Sequence, residues 1–216
     1  MKVQISFQKI LFGFFSFIGT MILVRYVISG ERRFVFLVWN LFLAWIPFIV
    51  SEQFKVMHQK QWWKQVMTCF VWFIFLPNAL YIVTDLIHLD ARSTVPKWYD
   101  ALLLFTAATV SLIMAFISLL RAERFLLYRF NSRVVNGIML VVLFFGSFGV
   151  YLGRFLRWNS WDVINKPAGL FFSVAERFLF PFKHLHTWGI TILFTILFYL
   201  LYLAAKKMPG YISQAH

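Results

Sequence analysis

Six long apolar runs, separated by short segments that hold most of the charged residues, constrain this chain more than any other feature of its sequence. A helix that crosses the hydrocarbon core of a bilayer needs roughly 17 to 25 predominantly apolar residues, and each run has about that length. The runs cover residues 10–28, 34–51, 65–87, 98–120, 134–156 and 187–205. The sequence therefore predicts an all-α protein: a polytopic transmembrane helical bundle of about six transmembrane helices, with short interfacial amphipathic helices.

The composition excludes a water-soluble protein. Of the 216 residues, 61% are hydrophobic and only 13% are charged, a balance that a soluble domain of this size does not show. No segment between the runs approaches the roughly 50 residues of a small globular domain, so we predict a single integral membrane domain over residues 1–216. The first run lacks a small-residue cleavage site and several more runs follow it, so we interpret it as a retained helix rather than a signal peptide.

The net charge of +13 bears on partners and on orientation. In a soluble protein such a charge would suggest nucleic acid, but here the 21 Lys and Arg residues are dispersed between the apolar runs. We therefore expect no nucleic-acid partner and predict attraction to the anionic headgroups of membrane lipids, at about 1 kcal/mol per basic residue near the surface. The basic residues divide almost evenly between the two sides, but the dense cluster between Arg121 and Arg133 and the basic termini favour both termini in the cytoplasm.

Two amphipathic stretches between the runs have the composition of helices that lie along a membrane surface. One covers residues 51–64 and the other covers residues 167–182. In the second stretch, Pro167 suits a first helical position and Pro181 is expected to end the helix.

A polar stripe at the end of the third run marks the first candidate site. Asn78, Tyr81, Asp85 and His88 recur at spacings of three, four and three, so a helix would place them on one face. A polar face toward lipid is costly, so this face is expected to meet the bundle interior, a water-filled cavity or the membrane surface. Asp85 and His88 are our candidate catalytic residues, as an acid and a base or as metal ligands. The alternative is that Asp85 lies just beyond the hydrocarbon edge, hydrated or paired with an arginine; a metal site needs three or four ligands, so metal and cofactors stay unassigned.

The end of the fifth run provides the second group. If its helix continues, Arg154, Arg157 and Trp161 share one face, and two arginines one turn apart can grip a phosphate or carboxylate in a forked geometry. The alternative is that they reach lipid headgroups or neutralise Asp85 and Asp162. Counting crossings places the ends of the third and fifth runs on the same side of the membrane, so the two groups can face one another across a pocket.

Four motifs in this chain carry a resemblance to a known family. They read Asn40-Leu-Phe-Leu-Ala-Trp-Ile-Pro, Phe75-Leu-Pro-Asn-Ala-Leu-Tyr-Ile-Val-Thr-Asp-Leu-Ile-His-Leu, Trp98-Tyr-Asp and Tyr151-Leu-Gly-Arg-Phe-Leu-Arg-Trp-Asn-Ser-Trp-Asp-Val. With these motifs the chain resembles bacterial multi-span membrane proteins grouped as a domain of unknown function, and departs from them at Leu80, where the pattern has a proline. The resemblance implies a bacterial inner-membrane protein and supplies no activity. With the spacing argument, it makes the following our candidate ligand-binding residues: Asn78, Tyr81, Arg154, Arg157, Asn159 and Asp162.

Three functions remain open at this point. The first is a membrane-embedded binding or transport component for an anionic headgroup or small anion, in which Asp85 and His88 tune charge or carry protons. The second is an enzyme, a hydrolase or transferase with or without a metal, that acts on a lipid-linked substrate. The third is an assembly partner of another membrane protein, contacted through a glycine face on the fifth run at Gly146, Gly149 and Gly153.

Overall fold

The structure is a computed structural model that describes residues 6–89 and 95–214, and within these ranges the chain forms helices and short connections without a β-strand. Its α-helices are α1 (Phe7–Ser29), α2 (Phe36–Val50), α3 (Phe54–Met57), α4 (Trp62–Tyr81), α5 (Lys97–Leu127), α6 (Ser132–Leu156), α7 (Asp162–Asn165), α8 (Pro167–Leu179) and α9 (Leu185–Gln214). Short 3₁₀ helices cover Ser51–Gln53, Ile82–His88 and Pro181–His184.

Six of the described segments are long and apolar enough to cross a membrane. They are Phe7–Ser29, Phe36–Met57, Trp62–His88, Lys97–Leu127, Ser132–Leu156 and Pro181–Tyr211. The fold class predicted from the sequence is thereby confirmed: the chain is an all-α, multi-pass membrane protein. Because successive crossings alternate in direction, the first, third and fifth spans end on one side, which we call the site side.

Helix α5 lies at the centre of the bundle and contacts α1, α2, α4 and α6. Its small side chains Ala107, Ser111 and Ala115 are fully buried, and the Ser111 hydroxyl donates to the Ala79 carbonyl oxygen of α4 at 2.7 Å. Association of helices in lipid depends on close packing rather than on the hydrophobic effect, so small residues on the central helix allow its neighbours to approach.

A buried ion pair that the sequence analysis does not predict joins the first and fourth spans. Arg25 of α1 donates through Nε to Oδ1 of Asp100 in α5 at 2.8 Å, and both side chains are at most 2% exposed. Tyr99 adds a hydrogen bond from its hydroxyl to the Met21 carbonyl oxygen at 2.9 Å. These contacts fix α1, which has few other polar contacts, against the centre of the bundle on the site side.

The stretch from residue 51 to residue 64 does not form a separate surface helix. Its first half continues the second span through the 3₁₀ turn and α3, and Phe54 and Met57 are buried in the core. Phe54 stacks on Phe125 with 5.3 Å between ring centroids and meets the edge of Trp72 at 5.7 Å. These aromatic contacts within the bundle turn this stretch inward.

The second amphipathic stretch forms α8. Pro167 lies in the first turn of the helix, and the helix ends before Pro181, as the proline positions predict. Phe178 packs against α6 and α9, with its ring centroid 5.6 Å from that of Phe148 and 4.9 Å from that of Trp188. Helix α8 is therefore attached to the bundle by aromatic contacts on the site side.

Candidate functional site

The third span changes its helix type where the polar stripe lies. Helix α4 ends at Tyr81, and the 3₁₀ helix Ile82–His88 continues the span. A 3₁₀ helix has three residues per turn, so Asp85 and His88 lie one above the other on the same side. This local geometry aims both side chains at α6.

Arg154 of α6 is the centre of the resulting cluster. Its guanidinium forms an ion pair with the Asp85 carboxylate, its Nε donates to the Thr84 hydroxyl at 2.8 Å, and its Nη1 lies 3.0 Å from Nε2 of His88. The guanidinium carbon also lies 4.4 Å from the centroid of the Tyr81 ring, a cation–π distance. Each of the three guanidinium nitrogens therefore has a partner within the chain.

In a hydrogen bond with Arg154, His88 can only be the acceptor. A guanidinium has no acceptor atom and keeps all its protons in a protein, so Nε2 of His88 must accept the hydrogen bond. The imidazole is then neutral and carries its single proton on Nδ1.

Asp85 is a buried structural carboxylate. Its side chain is 1% exposed, against 12% for Arg154, and its second oxygen, Oδ2, accepts a hydrogen bond from Nδ2 of Asn40 at 3.1 Å. Of the two alternatives for Asp85, hydrated or paired, the structure has the pair with an arginine. The carboxylate thus connects α2, the third span and α6.

Arg157 differs from Arg154 in its backbone conformation and in its side-chain contacts. Helix α6 ends at Leu156, and Arg157 adopts a left-handed conformation with φ 59° and ψ 31°. Its backbone N–H and that of Trp158 both donate to the Leu152 carbonyl oxygen. The prediction that Arg154, Arg157 and Trp161 share a helical face is therefore wrong, because the helix stops one residue before Arg157.

The Arg157 backbone is strained, and its side chain has no hydrogen-bond or ion-pair partner among the described residues. Within the described ranges it is the only non-glycine residue with positive φ, a conformation that costs an L-residue with a Cβ roughly 1–2 kcal/mol. The side chain is exposed, and it makes no hydrogen bond or ion pair with any other described residue. None of the carboxylates in residues 6–89 and 95–214 therefore forms an ion pair with its guanidinium.

A cavity of about 400 Å³, which we call the polar pocket, opens between α2, α4 and the end of α6. It contains most of the residues that the sequence analysis selects. The candidate residues that line it are Asn78, Tyr81, His88, Arg154, Arg157 and Asn159. Asp85 lies behind the Arg154 guanidinium and is not among the lining residues.

The loop after α6 is held to α4 by hydroxyl and amide groups. Asn78 donates from Nδ2 to the Ser160 hydroxyl at 2.8 Å, and this hydroxyl donates to the Ile74 carbonyl oxygen at 3.0 Å. Asp162 accepts a hydrogen bond from the Asn159 backbone N–H at 2.8 Å. Asp162 therefore shapes the loop from within and pairs with neither arginine, contrary to the alternative that the arginines neutralise it.

Three polar side chains of the site, Asn40, Thr84 and Ser160, are not among the candidate residues of the sequence analysis. Thr84 lies three residues after Tyr81, so the helical periodicity carried a signal for it. Ser160 belongs to an irregular loop in which periodicity gives no direction. Across the parts of the chain that the structure describes, no group of three or more His, Cys, Asp or Glu side chains is placed to hold a metal ion.

The glycine face of α6 packs against α4 and so positions the site. A Cβ added at Gly149 would lie 2.6 Å from Cγ of Pro77, and one at Gly153 would lie 3.4 Å from the Tyr81 ring. The face is occupied by α4 of the same chain, so these glycines are not open as the contact surface that the third function would use. Its close packing instead brings the carboxyl ends of α4 and α6 together.

The comparisons with known proteins give a family and no activity. A family model described as "Protein of unknown function (DUF1361)" matches residues 39–201, which is more than half of the chain. No curated protein and no solved structure matches.

Proposed function

The chain belongs to this family of unknown function, and from its own geometry we propose that it is a membrane-embedded binding or transport component that holds an anionic group, a phosphate or carboxylate, at Arg157. The uncommitted guanidinium at the polar pocket is the observation that carries the proposal. Arginine presents parallel N–H donors that match two oxygens of a phosphate or carboxylate. No described residue occupies those donors in the chain itself.

The backbone at Arg157 supports the same conclusion. Glycine is the usual residue at a left-handed helix end, because it has no Cβ to strain. An arginine at position 157 therefore lowers the free energy of unfolding relative to a glycine at the same position. Strain of this kind concentrates at functional sites, so it supports a role for the guanidinium that is not structural.

The other polar residues have supporting roles in this proposal. The Asp85–Arg154 pair fixes the walls of the pocket, and Asn78 holds the loop that carries Arg157. His88 lines the pocket, so a proton taken up by its neutral ring would add a second positive charge beside the anion. Catalytic roles for Asp85 and His88 receive less support, because Asp85 is buried and both of its oxygens have partners.

We also propose the location that the resemblance implies, the bacterial cytoplasmic membrane. The basic cluster after α5 favours both termini in the cytoplasm. In that orientation the first, third and fifth spans end outside, so the polar pocket opens toward the external face.

The test compares Arg157→Gly with Arg157→Lys in the purified full chain, in nanodiscs made of zwitterionic lipid. The probes are glycerol 3-phosphate, which has no hydrocarbon chain, and lysophosphatidic acid, which has one hydrocarbon chain. We expect the glycine variant to bind both roughly tenfold more weakly or worse, because it loses charge-assisted hydrogen bonds. The lysine variant keeps the charge but loses the fork, so it should be intermediate.

The glycine variant also carries its own control for folding. Relief of the strain, roughly 1–2 kcal/mol, exceeds the roughly 0.4–1 kcal/mol of unfolded-chain entropy that glycine adds. Its melting temperature should therefore equal or exceed that of the wild type. Unchanged binding in the glycine variant, or a loss of binding accompanied by a lower melting temperature, would refute the role of Arg157.

A further inference from the structure

A second cavity lies beside the polar pocket and differs from it in chemistry. It is a groove of about 250 Å³ between α4, α6 and α8, which we call the apolar groove. Its walls include Phe73, Pro77, Phe148, Leu170 and Val174. A sealed apolar cavity of about 150 Å³ is enough to hold benzene, so a groove of this volume has room for part of a hydrocarbon chain.

The two cavities share a wall. Residues that line both of them are Asn78, Tyr81, Gly153, Trp158 and Asn159. A ligand held in the polar pocket therefore has direct access to the apolar groove. A polar compartment that continues into an apolar one matches a molecule with a charged head and an apolar tail.

The direction of the groove agrees with the orientation of a membrane lipid. From the shared wall it follows α4 back from Tyr81 to Phe73 and α6 back from Gly153 to Phe145. Eight residues at 1.5 Å per residue give a length of about 12 Å. The shared wall is at the carboxyl ends of the two spans, so the groove runs from the site side toward the middle of the bilayer.

Two glycine contacts fix the groove. Gly149 lies against Pro77, so the floor between α4 and α6 is closely packed. A Cβ at Gly169 would lie 3.1 Å from the Trp158 ring, so this glycine lets the start of α8 approach the shared wall. Helix α8 lines the groove with Leu170 and Val174.

We propose that the ligand is a membrane lipid with a phosphate-bearing headgroup, whose phosphate lies at Arg157 and one of whose hydrocarbon chains lies in the apolar groove. This assignment rests on the proposed function and names its ligand class. The hydrocarbon chain of a membrane lipid is already in an apolar medium before it enters the groove. Binding in the groove therefore gains no free energy from removing that hydrocarbon chain from water. The groove selects the ligand by shape and by dispersion contacts, and it directs the phosphate to the pocket.

The experiment fills the groove without altering the polar pocket. Val174→Trp places extra volume on the groove side of α8, and Phe172→Trp places a tryptophan on its exposed side as the matched control. Both variants are compared with the wild type in the same zwitterionic nanodiscs, so partitioning of the probe into the bilayer is equal. We expect Val174→Trp to bind lysophosphatidic acid about tenfold more weakly and to bind glycerol 3-phosphate as the wild type does, while Phe172→Trp changes neither affinity.

The outcomes separate this inference from the proposed function. Equal binding of lysophosphatidic acid by both tryptophan variants and the wild type overturns the groove assignment alone, whereas unchanged binding in Arg157→Gly overturns the proposed function and with it the placement of the phosphate at Arg157. A second measurement, on the unmodified chain, does not depend on the folding of a variant. Lysophosphatidic acid with a diazirine in its chain should crosslink to Phe73, Phe148 or Val174, and crosslinks confined to the outer surface of the bundle would overturn the inference.

Discussion

The ion pair between Asp85 and Arg154 should dominate the stability of the site side, and a double-mutant cycle tests this directly. The two residues are 69 positions apart in sequence, and their side chains are 1% and 12% exposed. Removing one partner of a buried pair typically costs about 3–5 kcal/mol, because the other charge is left without a counter-ion. Asp85→Asn and Arg154→Met should each fall in that range.

The structure also predicts which single substitution is worse. In Asp85→Asn, the guanidinium keeps Thr84 and His88 as partners and retains some contact with solvent. In Arg154→Met, the carboxylate keeps only Asn40 and has almost no access to water. We therefore expect Arg154→Met to lower the free energy of unfolding more.

The double variant should cost less than either single variant, because no charge is then left alone. Neutral replacements of buried pairs are often close to neutral in stability, and the unpaired donors that remain should cost about 1–3 kcal/mol. The expected coupling is at least about 3 kcal/mol, well above the roughly 0.5 kcal/mol error of additivity.

Unfolding of the purified chain in mixed micelles, followed by loss of helical circular dichroism, measures these differences. Arg129→Met is a matched control, since Arg129 is exposed between α5 and α6 and should change stability by no more than about 0.5 kcal/mol. If the cost of the double variant equals the sum of the two single costs, the pair is not coupled and the reasoning about Asp85 is refuted.

Two further predictions concern packing and orientation. Gly149→Ala should lower the free energy of unfolding by about 1–3 kcal/mol, since its Cβ would overlap the rigid ring of Pro77. Gly137→Ala is the control in the same helix, and it should be neutral or stabilising because nothing lies within 4 Å of its Cβ. Thermal unfolding measures both variants, and equal effects would contradict the close approach of Gly149 to Pro77. Green fluorescent protein fused after the last span should fluoresce in bacterial cells if that end is cytoplasmic, and a dark but full-length fusion would reverse the proposed orientation.

The polar stripe shows how far a sequence pattern reaches. The spacing of Asn78, Tyr81, Asp85 and His88 selects one helical side, and the structure brings three of these side chains to the polar pocket. The same pattern gives no means of telling that Asp85 turns behind Arg154 while His88 lines the cavity. That difference depends on where α2 and α6 place Asn40 and Arg154 against the two side chains, and spacing along one segment carries no information about other helices.

The different environments of Arg154 and Arg157 could not be predicted from the sequence. They are three residues apart in a motif that reads as one helix, and the sequence treats them alike. Arg154 is in the last turn of α6 and each of its guanidinium nitrogens has a partner, whereas Arg157 follows the end of the helix and its side chain bonds to no other described residue. Nothing in the residues between them, Phe155 and Leu156, signals that the helix stops there.

The amino-acid sequence by itself determined that this chain forms six membrane-spanning helices and that its third and fifth spans end together, because backbone hydrogen bonds in lipid must be satisfied within each helix and apolar length is a local property. Only the tertiary structure decided which charges pair: Asp85 with Arg154, and Arg25 with Asp100. Such pairs depend on the rotation and depth of whole helices against one another, which close contacts between distant spans, such as that of Gly149 with Pro77, help to set.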